Sequence, residues 1–187
     1  MKGPHLIREF DLRIHDAIAR RLRVNRDASG LLVEILRADW GDIYNSVQRP
    51  FAQTYYSITP PGLARDEAEW HVHQHQEDRF VVASGSIVLA LWDGRAESAT
   101  RGTLDLLPMG EVMSDDAQHS VLIPRRVHHG FVVIGASPAI LLNSPTQLYN
   151  PKDEGRDPFT QVGATFDDGR LFTWQAVREM EMASTRG

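Results

Sequence analysis

The sequence has 187 residues, 42% of them hydrophobic and 24% charged, which is the composition of a soluble globular protein and favours a single domain. Its net charge of −5 argues against a nucleic-acid polymer as partner, although a few local arginines would suffice for a small phosphorylated ligand. The chain has no cysteine, no apolar run long enough to cross a membrane and no signal-peptide core at its N-terminus, so we expect a cytoplasmic protein.

The first part of the chain predicts one short helix and two strands. Residues 17–22 favour the helix, and a turn at residues 27–30 leads into a β-type run over residues 31–37. Residues 51–58 are aromatic and β-branched, which predicts a strand.

The middle of the chain predicts a long hairpin, in which residues 80–82 pair with residues 87–92 across Gly85. Residues 104–113 are expected to form a loop, because Pro108 and Gly110 interrupt them. Further elements are predicted as strands at residues 120–123, 130–134 and 139–143 and a helix at residues 174–182. Many short strands with few helices predict an all-β protein, either an antiparallel barrel or a jelly roll.

Histidines dominate the stretch from residue 70 to residue 85. His71 and His73 are two residues apart, so on a strand both would point to the same face. Asp78 follows, and His129 comes five residues after Pro124. This spacing resembles the two motifs of the cupin superfamily, a small jelly roll with its site inside the barrel. The set His71, His73, Asp78 and His129 would suit a single Fe, Mn, Ni or Zn ion.

A series of short motifs then extends from residue 27 to residue 174. In chain order they are Asp27-x-x-Gly30-Leu31-x-x-Glu34, residues 51–57, Pro61-Gly62, Trp70-His71, Gly85, Asp93-x-Arg95-x-x-Ser98-x-Thr100-x-Gly102, Ile123-Pro124 with His129-Gly130-Phe131, and Asn143-x-x-Thr146-x-x-Tyr149-x-Pro151. Together they resemble the dTDP-4-dehydrorhamnose 3,5-epimerase family, a cupin branch that normally works without metal. The resemblance implies a cupin-type jelly roll with short peripheral helices, a core at about residues 27–150, a C-terminal extension at residues 151–187, and a homodimer.

The resemblance also implies a reaction. A nucleotide-linked 4-keto-6-deoxyhexose has acidified hydrogens at C3 and C5, so a base can remove one proton and an acid can return it from the other face. His71 falls at the catalytic base and Tyr149 at or beside the proton donor, while Asp167, with Asp168 as its close rival, would orient His71. Four residues are expected to line the substrate site: Glu34, Gln53, Arg65 and His129.

One departure from the family leaves alternatives open. Asp78 stands where the family has a lysine that steadies the enolate oxygen, a contribution that is usually large. A metal ion could take over that task, but a metal-bound His71 could not also be the base. The alternatives are therefore a metal-dependent cupin, acting as an isomerase or oxygenase on another small molecule, and a non-catalytic sugar-binding cupin.

Overall fold

A computed structural model describes residues 11–111 and 118–184, which form two packed β-sheets, one additional hairpin and two helices. The strands are β1 (Ile18–Arg21), β2 (Val24–Asp27), β3 (Gly30–Val33), β4 (Tyr55–Thr59), β5 (Glu69–His73), β6 (Asp78–Ser84), β7 (Ser86–Trp92), β8 (Leu104–Gly110), β9 (His119–Ile123), β10 (His128–Ile134), β11 (Ala139–Asn143) and β12 (Glu154–Pro158). The helices are α1 (Phe159–Val162) and α2 (Trp174–Ser184). None of the described helices is long and apolar enough to cross a membrane.

Two five-stranded antiparallel sheets face each other. The first has the order β1-β9-β6-β11-β4 and the second β12-β5-β10-β7-β8, while β2 and β3 form the separate hairpin. Apolar side chains from both sheets, among them Phe80, Leu89, Val121 and Phe131, fill the space between them. Two facing antiparallel sheets with the apolar core between them form the jelly-roll arrangement, which confirms the predicted all-β cupin fold.

The second sheet is buried on its outer face as well. Trp70 on β5 and Val132 on β10 pack there against Phe172, Trp174 and Val177 from the C-terminal segment and α2. Because both faces are covered, all seven residues of β7 are buried, which explains its continuous apolar run. Two strands of the barrel also lie outside the predicted core of residues 27–150, β1 before it and β12 after it.

The predicted strands at residues 120–123, 130–134 and 139–143 and the helix at residues 174–182 are confirmed as β9, β10, β11 and α2. Two other predictions are corrected. Residues 17–22 contain β1 instead of a helix, because residues 18–21 pair along their length with β9. Residues 104–110 form β8, in which Pro108 lies opposite Val88. Proline is tolerated there because β8 is the edge strand of its sheet. Met113, the end of the predicted loop, lies outside the described residues.

The predicted hairpin across Gly85 is also corrected. β6 pairs with β9 and β11 in the first sheet, whereas β7 pairs with β10 and β8 in the second. Gly85 therefore forms the corner where the chain passes between sheets, with a φ of 76° that favours glycine. A Cβ atom at this position would lie 2.4 Å from the carbonyl oxygen of Pro138, so the corner has no room for a side chain.

Candidate active site

Strand β5 places the histidines. Its burial alternates, with Trp70 and Val72 on the outer face and His71 and His73 on the inner face of the second sheet. Strand β10 pairs with β5 so that His129 lies directly opposite His71. The imidazole centroids lie 4.9 Å apart for His71 and His73 and 5.5 Å apart for His71 and His129. The three rings therefore form one cluster inside the barrel.

The cluster opens into a cavity of about 350 Å³ between the two sheets. Most of the predicted site residues line this cavity: Gln53, Arg65, His71, His73, Asp78, His129 and Tyr149. The structure thus brings most of the predicted site residues together around one cavity.

Two predicted residues, Asp167 and Glu34, do not line this cavity, and the orienting role expected of Asp167 is corrected. The carboxylate of Asp167 accepts hydrogen bonds of 3.0 and 3.2 Å from Nη1 of Arg13, so it does not orient His71. Its rival Asp168 accepts a hydrogen bond of 2.8 Å from Nε of Arg170. Glu34 is exposed just after β3, pairs with Arg37 at 2.7 Å, and does not line the cavity of this chain.

The acidic neighbours of His71 are two carboxylates that the sequence analysis did not single out. Nδ1 of His71 lies 3.8 Å from Oδ2 of Asp66, and Nε2 lies 3.8 Å from Oε1 of Glu154. Arg156 joins them, because its guanidinium donates one hydrogen bond to Asp66 and another, of 2.7 Å, to Glu154. His71 is therefore flanked by negative charge on both ring nitrogens.

This network affects the protonation of its members. The His71 ring and Arg156 hold the pKa of Asp66 below its ordinary value, against an opposing effect of burial. Burial alone would raise the pKa of Glu154, but Arg156, His71 and Tyr149 lower it on balance. Both carboxylates are thus ionised at neutral pH, so His71 lies between two negative charges.

Tyr149 follows β11 in the loop before β12, and its side chain is exposed at the cavity rim. The hydrogen bond from its hydroxyl to Glu154 raises the pKa of the phenol, so the group is protonated at neutral pH. Glu154 therefore contacts both the base and the proton donor that the sequence predicted. Glu154 and Arg156 alternate on β12, where Arg156 lies opposite His71, and this alternation is a sequence signal that could have identified them.

A second group of side chains lies deeper in the cavity. Nε2 of His73 and Nε2 of His129 lie 3.5 and 3.3 Å from Oδ2 of Asp78, whose side chain is 2% exposed. Burial alone would raise the pKa of Asp78, but His129, His73 and Asn143 lower it to about 2. Burial lowers the pKa of His73, which favours a neutral ring. Within the described residues, His73, Asp78 and His129 form a group suited to a metal ion, and the predicted fourth ligand, His71, is not part of it.

The fold and the cavity define this protein as a cupin-type isomerase, a jelly roll whose interior carries groups able to take up and return a proton. The chain belongs to the dTDP-4-dehydrorhamnose 3,5-epimerase family, whose model matches residues 11–160.

Related proteins agree with this assignment. The chain is 40% identical over 149 residues to the probable low-salt glycan biosynthesis epimerase Agl13 of Haloferax volcanii, covering 78% of this chain and 88% of that protein. It is 31% identical over 142 residues to the spore coat polysaccharide biosynthesis protein SpsL of Bacillus subtilis, covering 75% of this chain and 86% of that protein. The crystal structure of a dTDP sugar isomerase from Desulfovibrio desulfuricans is similar with a TM-score of 0.71 at 25% identity, covering 87% of this chain and 92% of the other.

Proposed function

We propose that this protein inverts C3, C5 or both centres of a dTDP-linked 4-keto-6-deoxyhexose, using His71 as the base and Tyr149 as the proton donor. The observation that carries this proposal is that both residues line one cavity and contact the same carboxylate, Glu154.

The first half of the reaction is proton removal. The 4-keto group acidifies the neighbouring C–H bond, and the electron pair left behind moves onto the ketone oxygen as an enolate. His71 takes up the proton and becomes positively charged between Asp66 and Glu154. Because these carboxylates favour that charge, they lower the barrier to abstraction and hold the ring in place.

The second half is proton return. The phenol of Tyr149 is protonated at neutral pH, so it can donate to the enolate carbon from the face opposite His71 and thereby invert the centre. Glu154 favours the protonated phenol before donation. These two transfers use side chains alone and require no cofactor.

Substrate binding is assigned to other residues of the same cavity, Gln53, Arg65 and His129. A guanidinium such as that of Arg65 suits a phosphate group, and the amide of Gln53 suits sugar hydroxyls. The family description favours a dTDP carrier. We also expect a homodimer acting in the cytoplasm, and a solution mass of one chain, determined by light scattering, would contradict the dimer.

The test is product analysis. The purified protein is incubated with dTDP-4-keto-6-deoxyglucose and with the UDP and GDP analogues, and the configuration of the sugar ring is followed by proton NMR. We expect inversion at C3 or C5 with the dTDP sugar and slower turnover of the others. Binding of every sugar without any change of configuration would instead indicate a non-catalytic sugar-binding cupin.

A further inference from the structure

Strand β4 contributes to the cavity from the sheet opposite the histidines. It is the edge strand of the first sheet, whereas His71 and His129 lie on the second. Tyr55 lines the cavity, as does Ser57 two residues later, whereas Tyr56 between them does not. Alternation along the strand therefore turns the Tyr55 side chain inward. Its phenol is a cavity group that neither proton transfer uses.

The side-chain amide of Asn143 determines how the Tyr55 hydroxyl bonds. Oδ1 of Asn143 accepts a hydrogen bond of 3.0 Å from the backbone N–H of Arg79, and Nδ2 donates one of 2.7 Å to Oδ1 of Asp78. The opposite orientation would place the amide oxygen against a carboxylate and the NH₂ against an N–H, so it is excluded. Nδ2 also donates, at 2.8 Å, to the hydroxyl of Tyr55. The hydroxyl oxygen is thus the acceptor in this bond, and its own proton is left for another partner.

That proton is available to a ligand. Within the described residues, 11–111 and 118–184, it has no acceptor. Burial and the nearby charge of Asp78 raise the pKa of the Tyr55 phenol in spite of the hydrogen bond from Asn143, so the group is protonated at neutral pH. A hydroxyl that accepts one hydrogen bond is polarised and donates a stronger one. Tyr55 therefore offers the cavity a neutral, polarised hydrogen-bond donor.

The polar groups beside Tyr55 are already engaged within the protein. The amide of Asn143 uses both of its N–H bonds, one to Tyr55 and one to Asp78. Nδ1 of His129 lies 3.0 Å from the carbonyl oxygen of Val127, and Nε2 faces the carboxylate of Asp78. Asp78 is ionised and would repel a second negative charge. This part of the cavity therefore needs a donor before it can hold an anionic oxygen, and the Tyr55 hydroxyl is one.

We propose that Tyr55 donates a hydrogen bond to the 4-keto oxygen of the substrate and stabilises the enolate formed when His71 removes the proton. This role rests on the proposed function, because it requires a ketone whose oxygen becomes negative. The hydrogen bond strengthens as charge moves from the C–H bond onto the oxygen, so it lowers the barrier more than it tightens substrate binding. Tyr55 keeps its proton throughout.

The first test compares two neighbouring phenols. Tyr55→Phe and Tyr56→Phe each remove one hydroxyl from β4, and only the first of these residues lines the cavity. The single-turnover rate of deuterium exchange at C3 and C5 of dTDP-4-keto-6-deoxyglucose is measured, with affinity determined by calorimetry. We expect Tyr55→Phe to lower the rate by about 100-fold or more at nearly unchanged affinity, which is the effect of removing one donor to an oxyanion. Tyr56→Phe should keep the wild-type rate.

The second test observes the ketone itself. The infrared carbonyl stretch of the bound sugar, identified by a ¹³C label at C4, is recorded in the His71→Asn variant, in which the sugar is not turned over. A hydrogen bond to the ketone lowers this wavenumber, so adding Tyr55→Phe should raise it and adding Tyr56→Phe should leave it unchanged. Replacing Tyr55 by 3-fluorotyrosine keeps the hydroxyl, makes it a stronger donor and should lower the wavenumber further. This arm does not depend on the folding of Tyr55→Phe.

Other outcomes overturn the proposal. These are an exchange rate of Tyr55→Phe within about two-fold of wild type, an equal decrease in Tyr56→Phe, and weaker binding at an unchanged rate. A carbonyl stretch that responds to Arg65→Gln and to neither change at Tyr55 would assign the ketone oxygen to Arg65 instead. In each case exchange by the wild-type protein leaves the proposed function standing. Absence of exchange in wild type would overturn the proposed function and the role of Tyr55 together.

Discussion

The carboxylate that assists His71 can be identified by a pair of matched substitutions. In Asp66→Asn, the group 3.8 Å from Nδ1 of His71 loses its negative charge while its size is kept. In Asp167→Asn, the same change is made at a carboxylate that is held by Arg13. We expect the first substitution to slow proton abstraction and the second to leave it within about two-fold of wild type.

The expected magnitude follows from the distance. Two unit charges 3.8 Å apart interact by about 1–4 kcal/mol for effective dielectric constants between about 80 and 20. This range corresponds to a rate factor between roughly 6 and 1,000. Arg156 already neutralises part of the Asp66 charge, so the lower half of the range applies, and a decrease of about 10- to 100-fold is expected.

The assay is the single-turnover rate of deuterium exchange at the sugar carbon, with substrate affinity measured separately by calorimetry. If Asp66 acts on the reaction through His71, Asp66→Asn should lower the exchange rate and leave the affinity for the substrate nearly unchanged. The reasoning would be refuted if Asp66→Asn kept more than half of the wild-type rate, or if folded Asp167→Asn lost ten-fold or more.

Three further outcomes are expected. Tyr149→Phe should lower net inversion by about 100-fold or more while deuterium exchange with solvent continues, because His71 can still remove a proton and return a deuteron on the same face. An equal decrease of inversion and exchange, both followed by NMR, would contradict this. Gly85→Ala should destabilise the protein in urea by at least about 2 kcal/mol more than Gly102→Ala. Both positions have a positive φ, but only at Gly85 would the added Cβ clash with backbone, the carbonyl oxygen of Pro138. Hydrogen bonds from Arg95, Ser98 and Thr100 outweigh burial and hold the pKa of Asp93 well below its ordinary value, so its contribution to stability is complete above about pH 4 and decreases progressively as the pH falls below that. Asp93→Asn should therefore destabilise the protein markedly less at pH 2 than at pH 7, and an equal effect at both would refute the linkage.

The centre of the site was predictable because it depends on strand geometry. Because side chains alternate between the two faces of a strand, His71 and His73 share one face. The cupin-like spacing from Pro124 to His129 then brings a third ring opposite them, as the pairing of β5 with β10 shows. Periodicity and spacing were sufficient for these positions.

The partners of His71 were not predictable in the same way. Asp66 precedes β5 in an irregular segment, and its distance from His71 depends on how that segment folds back, which no local pattern records. Asp167 was assigned from its place before Trp174, but Arg13, 154 residues away in sequence, holds its carboxylate. The pattern around Gly85 predicts a hairpin for a related reason. A turn signal predicts that the chain reverses its direction, but it does not predict whether the following strand stays in the same sheet.

The central claim is that His71 removes a proton next to the ketone of a nucleotide-linked sugar. The most direct measurement is the deuterium content at C3 and C5 of dTDP-4-keto-6-deoxyglucose recovered from heavy water, with wild-type protein and with His71→Asn. The account predicts deuterium with wild type and a loss of about 1,000-fold or more with His71→Asn, at an affinity within a few-fold of wild type. Exchange at the wild-type rate in His71→Asn, or no exchange by wild-type protein that binds the sugar, would contradict it.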